Sequence, residues 1–295
     1  WTSLDQDLLA RVLDFLGMDL EELMMMLGLD FEDLIDLLNA PVFQFTSSDY
    51  TLPAFFRTTS FKDYTGEKWT NSDYYSSDKI SEGSLNPLCF AANKISQVVD
   101  AASYDITYFK KGKKFPVPAY ELTNNQDLNS ESYSLTSPTK APTEEYPNAS
   151  TYSTSGIGFY PASGYTVPLL LEYDYSSNAI TSDELKYREY VKDNYLNVAP
   201  KYKEYFLDLA EELEIKVDDS FSYIAKINDF FKDYKMLDLT TTEMKAFPED
   251  VDDIFYFMEE SKSGLSNHFA NATTLFYRSL GVPARYVEGY FSLPS

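Results

Sequence analysis

Gly264, Ser266 and His268 stand within five residues of one another in SGLSNHFANATTLFYRSLGVPARYVEGY, residues 263–290. A small polar residue that follows a glycine and opens a helix meets unbonded backbone N–H groups and the positive end of the helix dipole. A thiol in that place ionises more readily than a free one. A hydroxyl gains far less and needs an adjacent base to lose its proton as it attacks. Gly264, lacking a side chain, would let a substrate backbone come close. His268 is the obvious candidate base, but it lies two residues from Ser266, about 200° around a helix, so the two side chains diverge. His268 therefore reads as structural. It is also the only histidine among the 295 residues, so the chain holds no Ser-His-Asp or Cys-His-Asp set in the usual form.

The elements that must position these residues are legible around them. The spacing predicts a helix over about 267–280, with Ser266 as N-cap, Gly281 just past the end and Pro283 two residues on. Phe269, Ala272, Phe276 and Leu280 recur at three- and four-residue intervals and give that helix one apolar face. ARYVEGYF then reads as a strand. Upstream, SDELKYREYVKDNYL opens on Ser182 followed by acidic residues, a helix start. APKYKEYFLDLAEELE aligns Tyr202, Phe206, Leu209 and Leu213, and SFSYIAKINDFFKDY aligns Ile224, Ile227, Phe231 and Tyr234. KMLDLTTT reads as a short strand or an extended link.

Before residue 181 the pattern changes. PVFQF, LPAFFRTTSF and TVPLLLEYDY look like strands, and FKDYTGEKWT reads as strand, Thr-Gly turn, strand. Residues 124–156, crowded with Ser, Thr, Asn and Pro, read as a long loop or several short edge strands. Asn148 in NAS is a glycosylation sequon only in a host that glycosylates. Residues 1–40 are acidic and rich in Leu and Met, and LGMDLEEL recurs as LGLDFEDL eleven residues on. They read as short amphipathic helices whose Leu/Met face packs or docks a partner. The expected plan is α+β in three parts. These are a helical segment over 1–40, a β-rich domain over 41–180, and a helical unit over 181–295 that ends at its first strand.

Composition removes several function classes. The formal net charge is −23, which repels phosphate backbones and anionic membrane surfaces, so nucleic acid is not an expected partner. The single cysteine, Cys89, allows no internal disulfide. Among apolar neighbours it reads as a buried small residue rather than a nucleophile. One cysteine and one histidine supply no thiolate or His-rich metal site, and no cofactor is implied. No apolar run approaches a membrane span and no signal peptide is visible. Residue 1 is Trp rather than Met, so a processed or shortened N-terminus is expected.

FYFMEESKSGLSNHFANATTLFYRSLGVPARYVEGY, residues 255–290, resembles the core motif of bacterial transglutaminase-like proteins. That motif runs roughly F-x-x-x-x-x-G-x-C-x-x-F-A-x-A, a Leu-rich helix, then R-x-x-G-I-P-A-R-x-V-x-G-Y. Gly264, His268, Phe269, Ala270, Ala272, Arg278, Gly281, Pro283, Ala284, Arg285, Val287, Gly289 and Tyr290 fall in register with it. The likeness is good over roughly the last 115 residues. FFRTTSFKDYTGEKW, residues 55–69, is similar to a stretch that precedes the core in membrane-anchored members.

The resemblance implies a papain-like thiol mechanism. A cysteine attacks a carboxamide or peptide carbonyl, and a histidine oriented by an aspartate activates the thiol and protonates the leaving amine. It also implies an extracytoplasmic, membrane-anchored parent acting on protein or peptide. The family cysteine aligns with Ser266. His268 matches a motif histidine that is not the family's base, and Arg285 and Tyr290 match structural positions. The family's catalytic histidine and aspartate lie on strands after VEGY, beyond Ser295. The expectation is thus a chain inactive by itself, whose core another segment completes. Ser266 has three readings: a cysteine replaced to silence the nucleophile, a natural pseudoenzyme, and, ranked last, a serine nucleophile. Two noncatalytic alternatives stand beside the enzyme: a peptide- or wall-polymer-binding module, and a scaffold docking a partner through residues 1–40.

Overall fold

A computed structural model describes residues 42–48, 54–70, 102–109, 116–118, 120–121, 150–157, 182–218, 220–237, 247–248 and 250–292. The readings for residues 1–40, Cys89, Asn148 and the strand TVPLLLEYDY lie outside the described residues. The chain forms two compact units: one of residues 43–226 with 274–295, the other of residues 1–42 with 227–273. The fold is α+β, as the alternation of strand-like and helical periodicities predicts.

In the first unit, β1 (Phe43–Ser47), β5 (Ala102–Tyr108), β8 (Ser150–Ile157) and β7 (Tyr120–Glu121) form an antiparallel sheet in the order β1-β5-β8-β7. Along β5, Ala102, Tyr104, Ile106 and Tyr108 are buried while Ser103 and Asp105 face water. That period of two is what a sheet with one covered face requires. A second sheet has the order β11-β2-β6, built from β11 (Tyr286–Ser292), β2 (Ala54–Phe61) and β6 (Val117–Pro118), again antiparallel. Rings from both sheets meet: Phe56 lies 4.9 Å from Phe43 and 5.7 Å from Tyr104.

The β2–β11 ladder slips by one residue. Glu288 pairs with Thr59 and Gly289 with Arg57, so Thr58 has no opposite number, and its hydroxyl donates to the Glu288 carbonyl at 3.1 Å. A Cβ on Gly289 would stand 1.9 Å from the Phe56 carbonyl oxygen, so this close approach admits only glycine. The expected strand–turn–strand in FKDYTGEKWT is present as β3 (Asp63–Tyr64) and β4 (Trp69–Thr70). Its turn carries Gly66 at φ +103° and a Thr65 N–H to Lys68 carbonyl bond of 3.0 Å.

Three helices follow: α1 (Ser182–Tyr195), α2 (Pro200–Glu212) and α3 (Ser222–Phe231). Pro200, with no N–H to waste, opens α2. Tyr202, Phe206 and Ala210 form its buried edge, while Leu209 and Leu213 are only half-buried. The four-residue rhythm continues past the expected Leu209 to the small Ala210. Phe206 stacks on Phe276 at 5.1 Å. The second unit runs from Ile227 through β9 (Lys235–Met236), a short α4 (Asp253–Phe255) that passes into a π-helix (Tyr256–Ser261), and β10 (Ser263–Gly264). It continues into the first turns of α5 (Ser266–Ser279), whose last residues belong to the first unit.

Candidate active site

The seat of Ser266 is a strand-to-helix junction. KMLDLTTT supplies a strand of two residues: β9 pairs in parallel with β10, Lys235 opposite Ser263 and Met236 opposite Gly264. The Lys235 N–H donates to the Lys262 carbonyl at 2.9 Å, and the Leu237 N–H to the Gly264 carbonyl at 2.8 Å. The chain enters β10 from the π-helix through Lys262, a left-handed residue at φ +44° whose N–H caps the Phe257 carbonyl. Asp252 caps the start of the preceding α4, its carboxylate accepting from the Ile254 and Phe255 N–H groups. Tyr234 fastens the π-helix from α3's side, its hydroxyl donating to the Met258 carbonyl at 2.7 Å. Burial, with the nearby Glu259 carboxylate second, pushes that phenol up to about 12, so it remains a donor.

Helix α5 starts one residue earlier than expected. Leu265, buried at 7 % exposure, takes the N-cap position, and Ser266 is the first helical residue. Serine is a favoured cap, which is why the sequence alone points to Ser266 there. The cap residue instead points an apolar side chain inward and leaves Ser266 exposed. Ser266 thus sits in the first turn, where thiolate stabilisation by the helix end is strongest.

His268 is held by a backbone N–H and by aromatic rings. Its Nδ1 accepts the Leu265 N–H at 2.9 Å, and its ring stacks on Phe247 at 4.4 Å and on Phe257 at 5.9 Å. Burial pushes the imidazole down to about 4, so at neutral pH it is uncharged. Gly264 has a reason inside the protein: a Cβ there would come within 2.8 Å of Nδ1 and 3.0 Å of the ring carbon Cγ of His268. The space beside its α-carbon is filled by the His268 ring. Around this junction Phe231, Tyr234, Phe257 and Phe269 pack ring against ring, with Phe257 at 1 % exposure.

Arg285 and Tyr290 each lie against an aromatic ring. The Arg285 guanidinium lies 5.7 Å from the Tyr195 ring centre, and the Tyr290 ring lies 5.3 Å from Phe43. A residue given no role from sequence is more deeply placed. Arg278, at 2 % exposure, donates from Nε to the Ala284 carbonyl at 2.7 Å and from Nη1 to the Lys62 and Asn197 carbonyls. Its charge lies 5.0 Å from the Trp69 ring centre. Its sequence signals are an arginine amid the apolar run of a helix and its register with the motif, and neither names its partners.

Residues 208–295 match the family model of the transglutaminase-like superfamily, a stretch that includes every residue of the junction from Gly264 to His268. The uncharacterized protein YebA of Bacillus subtilis (strain 168) is 25% identical over 257 residues, which are 85% of this chain and 33% of YebA. The chain therefore spans about a third of the length of that relative. Two crystal structures of the periplasmic domain of TgpA from Pseudomonas aeruginosa, one bound to ethylmercury, superpose with a TM-score of 0.48. They are 13% and 15% identical and match 85% of this chain and 74% and 76% of theirs.

Proposed function

Residues 208–295 belong to the transglutaminase-like superfamily, and on that premise we propose that position 266 is the nucleophile seat of a thiol acyl-transfer or amide-hydrolysis site, silent in this polypeptide. The observation that carries the reading is the exposed first-turn position of Ser266, two residues past the end of β10 and at the positive end of α5. With a cysteine there, the thiolate would attack a carboxamide or peptide carbonyl. A C–S bond forms, the C–N bond breaks, and the amine leaves with a proton from a histidine. An amine or water then takes the acyl group. In this chain the hydroxyl is poorly activated, and the one histidine is neutral and already bonded to a backbone N–H. A working site needs a base supplied by a further segment or another chain. By the same family likeness the site works outside the cytoplasm on protein or peptide, in a membrane-anchored parent.

Two measurements test this. The polypeptide with Ser266 is expected to release no ammonia from glutamine peptides and to cleave none above background. Turnover at enzymatic rates would end the claim of silence. A Ser266→Cys variant with Cys89→Ala, so that residue 266 is the sole thiol, is expected to alkylate with a pKa below the ordinary thiol value of about 8.5. An unshifted thiol would remove the nucleophile seat and favour a module that only binds its peptide.

A further inference from the structure

We propose that His268 is the positioning residue of this site: it clamps Leu265 at both ends of its backbone and so sets the direction in which residue 266 is presented. The proposal rests on the reading of position 266 as the nucleophile seat. The Leu265 N–H donates to His268 Nδ1 at 2.9 Å, and the Leu265 carbonyl accepts the His268 N–H at 3.0 Å. One residue thus reaches both polar groups that flank the φ and ψ of Leu265, its N–H shared between the Leu265 carbonyl and Asn267 Oδ1 at 2.9 Å. The next α-carbon, and the side chain on it, follow from those two angles. The arrangement has the logic of a capping box, in which the third helical residue reaches back to the N-cap N–H. A flexible Glu or Gln usually does this. Here a ring does it, held by Phe247 and Phe257, over a glycine whose missing Cβ leaves the ring its place.

The chemistry also decides the tautomer. A backbone N–H only donates, so Nδ1 must be bare and the ring proton must sit on Nε2. Phenylalanine could fill the slot beside Phe247 and Phe257 and keep the stacking, but it offers Leu265 no acceptor. Asparagine gives up the stacking, yet its Oδ1 reaches the place of Nδ1. The pair separates packing from positioning.

The experiment is the pH profile of iodoacetamide alkylation in the Cys89→Ala, Ser266→Cys chain, with His268, His268→Phe and His268→Asn. The thiol pKa is expected to rise by about one unit with His268→Phe and to return toward the starting value with His268→Asn. An unchanged profile with His268→Phe, or a rise with Asn equal to that with Phe, overturns the proposal. Should His268→Phe fail to fold, imidazole nitrogen shifts of the unaltered chain decide. A bare Nδ1 with the proton on Nε2 supports the clamp, and a proton on Nδ1 ends it. Should the thiol introduced by Ser266→Cys have an ordinary pKa while His268 is intact, the nucleophile reading fails by itself. The tautomer, with slower Leu265 amide exchange in the unaltered chain than in His268→Phe, still decides the clamp.

Discussion

Helix α5 carries a nitrogen-bearing side chain at each end, His268 half-buried and Arg278 buried, and the two are kept in opposite states. His268 in the first turn is neutral, lies among phenylalanine rings and accepts one bond. Arg278 in the last turn is a cation that donates to three backbone carbonyls. The helix end itself favours this division, because its first turn repels positive charge and its last turn attracts it. Burial does the rest: an imidazole escapes the cost of desolvation by losing its proton, whereas a guanidinium cannot. The arginine therefore needs acceptors, and the carbonyls of Lys62, Asn197 and Ala284 supply them to Nε and Nη1. The first turn is thus held by a neutral acceptor and the last turn by a cationic donor.

The severest way to break this comparison is Arg278→Met. It strips three carbonyls of their donor and is expected to cost about 3–5 kcal/mol in denaturant unfolding. A loss below about 1 kcal/mol would mean that the anchor is ordinary packing. Next comes acid. The folded His268 titrates at about 4 against about 6.5 unfolded, so the unfolded chain binds the extra proton first. Stability from this residue is full above the unfolded value and is lost as pH falls toward 4, by at most about 3 kcal/mol. Subtracting the unfolding free energies of His268→Asn, measured over the same pH range, isolates it; parallel curves would remove the neutral-imidazole argument.

Gly264→Ala sharpens the first-turn side alone. The new methyl meets Nδ1 and must displace the ring, at about 1–3 kcal/mol, and the imidazole nitrogen shifts should move with it. Unmoved shifts would show that the slot is looser than its distances. The smallest effect is expected for Tyr234→Phe. It removes one hydrogen bond to the Met258 carbonyl for about 1 kcal/mol in thermal unfolding, a loss that should not depend on pH between about 5 and 9, because the phenol titrates at about 12.

Which parts were readable follows from how far each contact reaches along the chain. Helix α5, its glycine end and the Tyr64–Trp69 hairpin depend on residues a few positions apart, and periodicity and turn chemistry disclosed them. The π-helix did not announce itself, because Tyr256–Ser261 would suit an ordinary helix and the wider turn shows only in the backbone bonding, as in the Lys262 N–H to Phe257 carbonyl bond that ends it. The parallel pairing of Lys235–Met236 with Ser263–Gly264 joins strands of two residues, too short for any alternation to register. Helical geometry alone separates His268 from Ser266. The partner that His268 does take, the N–H of Leu265, carries no side-chain signal at all. Arg278 needs Lys62 and Asn197, 216 and 81 residues away, and nothing local marks such a meeting.

Thr58 carries a consequence for parity. Phe61 faces Tyr286 and Phe56 faces Tyr290 across the ladder. The two tyrosines are four apart, an even count that places them on one side of their strand. The two phenylalanines are five apart, an odd count that would send them to opposite sides of a regular strand. The unmatched Thr58 absorbs the odd residue and brings both rings to the tyrosine side. Deleting Thr58 would leave a tidier ladder and a worse protein, with one of those phenylalanines turned outward.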